Sequence, residues 1–288
     1  MSKKGKVTRS GPPFHYLLPF LASVAACMVV YVPMEEPSVA GLVLKCLPIV
    51  CLMGFLAVVE KVEGEAAINL LALFFSVLGD ACLVWMEELL VYGVAMFGVA
   101  QVAYVFAMGF ERVSWVSGVG IHVSLLLVVT SLLSGIPSPA LKVVVTLYSL
   151  LLTTMIWRAF DRARLRRDLP VERRMCSLAG AVVFCMSDVA IVVAQLGRLL
   201  PPALALGLIL ATYYAAQLLL TLGAAENFWA GSVSVKASGS SAKAVRTTGN
   251  TDRPTVKAGR ASVKTGKSSA KVANSSLRND KVASRKAK

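Results

Sequence analysis

Eight apolar stretches of roughly 20 residues, separated by charged or Pro/Gly-containing breaks, run from residue 14 to residue 222. About 20 predominantly apolar residues carry a helix across the hydrocarbon core, where every backbone N–H and C=O must be bonded within the protein. The approximate spans are 14–33, 39–59, 66–85, 89–110, 113–134, 140–160, 175–196 and 202–222. This pattern predicts an all-α, polytopic integral membrane protein with about eight transmembrane helices. Composition agrees, since 56% of the 288 residues are hydrophobic and only 16% charged. A soluble domain carries about 45–50% apolar residues, so an ordinary cytosolic enzyme is excluded.

The net charge of +14 belongs almost entirely to one end of the chain, because 14 of the 30 basic residues follow Gly231 against only Asp252 and Asp280. Three regions follow: a basic amino terminus, 1–13; an eight-helix domain, 14–224; and a basic tail, 225–288. The spans also set the side on which each loop lies. Lys3, Lys4, Lys6, Arg9, Lys61, Arg112 and seven arginines from Arg158 to Arg174 fall on one side, against Arg198 and Lys142 on the other. The positive-inside rule then places both termini in the cytosol, with the endoplasmic reticulum or another endomembrane as the expected location. The first apolar segment is long and has no evident small-residue cleavage site, so a cleaved signal peptide is not expected.

Cut every seven residues from Ser234, the tail reads SVKASGS, SAKAVRT, TGNTDRP, TVKAGRA, SVKTGKS, SAKVANS, SLRNDKV. A coiled coil needs two large apolar residues per heptad, and these units offer at most one small aliphatic, so the tail reads as disordered. Its basic residues suit it to anionic cytoplasmic lipid, while no specific nucleic acid is expected. Gly266-Lys267-Ser268 lacks both the preceding glycine spacing and the strand of a phosphate loop.

The chemistry must come from the body. Its six cysteines form no C-x-x-C pair and have no histidine at metal-ligand spacing, so neither a metal nor a cofactor is expected. Ionisable groups inside membrane spans are costly, and Lys45, Asp80 and Asp188 are the three that stand out. If successive helices alternate in direction, all three come to a similar depth, about 9 Å in from the non-cytosolic side. Asn69, Ser76 and Asp80 share one stripe of the third span, Asp188 and Gln195 one face of the seventh, and Tyr214, Gln217 and Thr221 one face of the last. The acids follow similar stretches, Phe75-Ser76-Val77-Leu78-Gly79-Asp80 and Val183-Phe184-Cys185-Met186-Ser187-Asp188, on the third helix of each half. This hints at a 4+4 duplicated bundle.

Five short elements, in order along residues 14–224, resemble the lysoplasmalogenase family, the YhhN-like membrane proteins that include the animal transmembrane protein 86 group. They are Lys45-Cys46-Leu47-Pro48, Ser76-Val77-Leu78-Gly79-Asp80, Met155-Ile156-Trp157-Arg158-Ala159, Phe184-Cys185-Met186-Ser187-Asp188 and Thr212-Tyr213-Tyr214-Ala215-Ala216-Gln217. One departure is Gln101-Val102-Ala103-Tyr104, where many members carry His in the first position, so a proton-carrier role there does not transfer. The resemblance implies hydrolysis of the vinyl ether of a lysoplasmalogen, with a choline or ethanolamine head group, to a fatty aldehyde and the glycerophospho compound. Such cleavage begins with protonation of the alkene carbon and passes through an oxocarbenium ion that water captures. Asp80 and Asp188 are the expected acid and stabiliser, in either order. Lys45 would bind substrate phosphate or pair with one Asp, and Tyr104, Tyr214, Gln217, Asn69 and Ser76 would position the substrate or water. The rival reading is a small-molecule or proton-coupled transporter whose relay uses the same buried charges.

Overall fold

The computed structural model describes residues 14–34, 36–135, 138–197 and 200–230. The expected basic amino terminus and the heptapeptide tail beyond residue 230 lie outside the described residues. Every regular element among the described residues is helical. A 3-10 turn (Phe14–Leu17) leads into α1 (Leu18–Ala26), which continues through a π-helical turn (Cys27–Tyr31). Then follow α2 (Val39–Val59), α3 (Gly64–Cys82), α4 (Met86–Met108), α5 (Trp115–Leu133), α6 (Pro139–Leu165), α7 (Val171–Gly197) and α8 (Pro202–Ala224).

Local chemistry marks the helix starts. Ser38 accepts from the Gly41 N–H at 3.0 Å to cap α2, and Ser138 accepts from Leu141 at 3.4 Å to cap α6, whose first residue is Pro139. A 3-10 turn (Leu83–Trp85) joins α3 to α4, and the two helices pack along each other as a hairpin. Among the described residues six stretches are long and apolar enough to cross a membrane, and one of them, Gly64–Met108, contains this whole hairpin. The outer surface carries large apolar side chains such as Val29, Val116 and Leu127, as lipid-facing positions do. The chain is thus an all-α, multi-pass membrane protein.

The packing order repeats. In the first half α1 packs on α2, α2 on α3 and α3 on α4; in the second, α5 packs on α6, α6 on α7 and α7 on α8. The halves meet where α4 packs on α6 and where α8 packs on α2 and α3. The α7–α8 pair approaches closely at Gly180, where a Cβ would stand 2.9 Å from the backbone N of Leu220 and 3.1 Å from the Ala216 carbonyl. α5 is fastened to α6 through its first two turns. Trp157 Nε1 donates to the Ser114 carbonyl at 3.0 Å, the Ser114 N–H donates to Asp161 at 2.8 Å, and the His122 ring nitrogens lie 2.8 Å from the Gly118 carbonyl and 3.3 Å from Thr154 Oγ1.

Most of the arginine-rich segment that the sequence reads as a loop is helical, because α6 runs on to Leu165 and α7 starts at Val171. Arg158, Arg162 and Arg173 are buried there. Arg158 donates to the Gly109 carbonyl at 3.1 and 2.6 Å, to the Arg112 carbonyl at 3.0 Å and to Asp161 at 3.0 Å. Arg162 and Arg173 both reach Glu65, at 2.6 and 2.9 Å, and both donate to the Gly223 carbonyl. Gly109 and Gly223 stand at the C-terminal ends of α4 and α8, so these guanidinium groups satisfy carbonyls that the helices leave open. Gly109 has φ +75°, a conformation that a side chain would strain.

Residues 225–230, which the sequence reading assigns to the tail, pack on this same end. Phe228 is fully buried edge-on against Phe14 and Phe55, and the N–H groups of Asn227 and Phe228 donate to Glu60. Burial pushes the Glu60 carboxyl above the ordinary glutamate range, although those two donors act in the opposite direction.

Candidate active site

Asp80 lies near the end of α3, buried between α2 and α8. Its Oδ1 is 3.7 Å from Lys45 Nζ on α2, and its Oδ2 accepts a hydrogen bond from Tyr213 on α8 at 2.6 Å. Both charges are almost completely removed from solvent, at 6% exposure for Lys45 and 2% for Asp80. Each would be costly alone in such surroundings, and the pair answers that cost. The backbone of Lys45 is held as well. Its carbonyl accepts from Tyr214 at 2.8 Å. Tyr214 also meets the Cys27 thiol at 3.3 Å, at the start of the π-helical turn.

Asp188 is on α7 and only half-buried. Tyr148 of α6 donates to its Oδ2 at 2.7 Å, and Gln101 of α4 reaches the same tyrosine hydroxyl at 3.5 Å. Among the described residues no cation pairs with Asp188. The two carboxyls are therefore chemically unequal: Asp80 sits in an ion pair, whereas Asp188 faces a neutral phenol.

Lys45, Asp80 and Asp188 open on one cavity of about 1590 Å³, which Tyr148 and Tyr213 also line. Small-molecule sites enclose about 300–1,000 Å³, so this one has room for a long flexible ligand. The rest of its wall is mainly Leu, Val, Ile, Met and Phe. It runs from Met86, Gly135 and Pro201 at the ends of helices to Leu125, Leu152 and Thr153 deeper in the bundle.

The remaining predicted residues stand behind this wall. Tyr104 donates to the Gln217 side-chain carbonyl, Gln217 Nε2 donates to Ser76 at 3.0 Å, and Ser76 donates to the Ala72 carbonyl at 2.9 Å. Asn69 Nδ2 reaches the Leu220 carbonyl at 3.4 Å. Asn69, Ser76, Tyr104, Tyr214 and Gln217 are thus packed between helices and do not line the cavity. The side chain of Gln195 lies outside the described residues. Two residues that sequence reasoning did not select, Tyr148 and Tyr213, hold the two carboxyls. Tyr213 is adjacent to the chosen Tyr214 and is also one turn from Gln217, so helical spacing alone supports either tyrosine. Among the described residues no three His, Cys, Asp or Glu side chains are grouped to hold a metal ion.

Comparison with known proteins adds an independent line. The lysoplasmalogenase TMEM86B of Sus scrofa is 32% identical over 221 residues, covering 74% of this chain and 87% of its own length. The human TMEM86B lysoplasmalogenase is 32% identical over 212 residues, covering 73% and 86%. The lysoplasmalogenase TMEM86A of Bos taurus is 31% identical over 228 residues, covering 73% and 89%. No solved structure matches the chain. The YhhN family profile matches residues 40–224, a range that contains Lys45, Asp80, Asp188 and both tyrosines that hold the acids, and the chain belongs to the YhhN family.

Proposed function

We propose that the protein is a lysoplasmalogenase that hydrolyses the vinyl ether of 1-alkenyl-glycerophosphocholine or 1-alkenyl-glycerophosphoethanolamine, with Asp80 and Asp188 as its catalytic residues. The observation that carries this reading is the unequal pair of carboxyls on one large, mostly apolar cavity. Asp188 has no cationic neighbour among the described residues and is the proton donor; Asp80, paired with Lys45, is the carboxylate that stabilises positive charge. Division of labour between two carboxyls set apart by their surroundings is an established pattern for acetal chemistry.

In the first step Asp188 gives its proton to the alkene carbon remote from the ether oxygen, the one that carries the hydrocarbon chain, leaving an oxocarbenium ion. Asp80 stabilises that cation and takes a proton from the water that adds to it. The hemiacetal then collapses: Asp188 takes the hemiacetal hydroxyl proton as the aldehyde forms, the C–O bond to glycerol breaks, and Asp80 returns its proton to the glycerol oxygen. One water is consumed and both carboxyls regain their starting states. Tyr148 and Tyr213 fix the two carboxyl groups. Tyr104, Gln217, Ser76 and Asn69 hold α3, α4 and α8 in place from behind, and Tyr214 holds the backbone of Lys45. Eight crossings, cytosolic termini and an endomembrane location complete the reading, with the basic tail lying on anionic lipid.

The test is aldehyde release by the purified full chain in detergent. A lysoplasmalogen should be cleaved, and its acyl and alkyl-ether analogues should not, because neither forms the oxocarbenium ion on protonation. Inactivity on the vinyl ether, together with substrate-dependent proton flux in liposomes, would replace the hydrolase by the transporter, which the names of the relatives do not favour.

A further inference from the structure

Among the described residues four charged side chains line the cavity: Lys45, Asp80, Asp188 and Glu87. Lys45 and Asp80 neutralise one another at 3.7 Å, and under the proposed reaction Asp188 starts each turnover protonated. Glu87 is different. It is exposed in the first turn of α4, and among the described residues it has no ion-pair partner. Among the described residues that leaves one negative charge without a counter-ion, at the outer end of the site.

The hairpin supplies a ruler. A Cβ at Gly79 would touch the ring of Phe97, and one at Gly93 would stand 3.3 Å from the Cys82 Cβ, so α3 and α4 are level at those two pairs. Glu87 lies six residues outward of Gly93, and Asp80 lies two residues inward of Cys82 on the facing helix. At about 1.5 Å per residue the separation along the hairpin is about 12 Å. A zwitterionic lysolipid has a matching dimension. From its vinyl ether oxygen to its nitrogen there are nine bonds, which span roughly 11 Å when extended, at about 1.5 Å per bond before zigzag shortening. The apolar lobe at Leu125, Leu152 and Thr153 lies on the other side of the acids, about 6 Å deeper than Tyr148 along α6, where the alkenyl chain can run.

We propose that Glu87 is a specificity-determining residue that receives the cationic nitrogen of the substrate head group, and so sets the direction in which the lipid enters: amine at the mouth, vinyl ether at the acids, hydrocarbon tail in the α5–α6 lobe. The inference rests on the lysoplasmalogenase reading. A favourable placement of Glu87 at a helix N-terminus is the competing explanation for an acid at this position. Glu88 shares that placement but does not line the cavity, and so separates the two.

The experiment compares aldehyde release from 1-alkenyl-glycerophosphoethanolamine with that from 1-alkenyl-glycerol-3-phosphate, which has the same vinyl ether and chain but no amine. It uses the wild-type full chain, Glu87→Gln and Glu88→Gln. The wild type should favour the amine-bearing lipid in kcat/KM. Glu87→Gln should shrink that ratio by about three- to fivefold, the scale of an exposed ion pair, while Glu88→Gln leaves it unchanged. An unchanged ratio in folded Glu87→Gln, or an equal shift in both variants, overturns the role of Glu87. Failure of the wild type to cleave either lipid would instead overturn the hydrolase reading.

Discussion

The two aspartates are unequal because their neighbours are: an ammonium and a phenol at Asp80, a phenol alone at Asp188. Asp80→Asn and Asp188→Asn should each lower kcat by about 10²–10⁴-fold, the range of general acid–base catalysis, in protein that remains folded by circular dichroism and size-exclusion chromatography. The double variant should be little slower than either single one, because both groups act on one transition state; multiplying losses would indicate independent roles. Near-wild-type turnover in either folded variant would remove that residue from the reaction. The carboxyls were legible in the sequence because a charge in an apolar span needs a reason. Their partners were harder to read. Helical spacing shows that Asn69, Ser76 and Asp80 share a face, but not that the face meets packed α8 at Ser76 and open cavity at Asp80. Nor does it choose between Tyr213 and Tyr214, which differ by a rotation of one residue and bond to different helices.

Among the elements, the apolar stretches read closely where lipid sets their length, as in α2, which begins and ends at the expected residues. They read less well at the arginine-rich end. There the charges that mark loop sidedness are also buried caps on the ends of α4 and α8, and burial comes from partners distant in sequence, such as Glu65 and Gly223. Close helix approach gives a separate test. At Gly180 an added methyl group has backbone atoms of α8 within 3.1 Å, which cannot move independently, whereas at Gly54 nothing lies within 4 Å. Gly180→Ala should cost about 1–3 kcal/mol as overpacking, seen as a lower thermal midpoint in detergent. Gly54→Ala should leave the midpoint nearly unchanged; equal effects at the two sites would show that α7 and α8 do not pack at Gly180.

For the molecule as a whole, the end of the folded body decides what can be removed. Truncation after Ala230 should retain turnover per molecule, because every residue of the site precedes it. Truncation after Ala224 removes the fully buried Phe228 and the N–H donors to Glu60, and should cost roughly 3 kcal/mol or more of stability. Equal thermal midpoints for the two truncations would place residues 225–230 outside the folded body. The hold on α5 reaches further. Its first two turns are bonded to α6, while Leu125, Val128 and Val129 beyond them line the cavity and Leu127 among them points outward. A wall shared with the bilayer makes the surrounding lipid the reservoir from which substrate is drawn. Velocity should then follow the mole fraction of lysolipid in mixed micelles and fall on dilution with inert detergent at constant bulk concentration. A rate that ignores such dilution would place the supply in water. With the bilayer as reservoir, the effective Michaelis constant is a surface density, and the enzyme answers to the local makeup of its membrane.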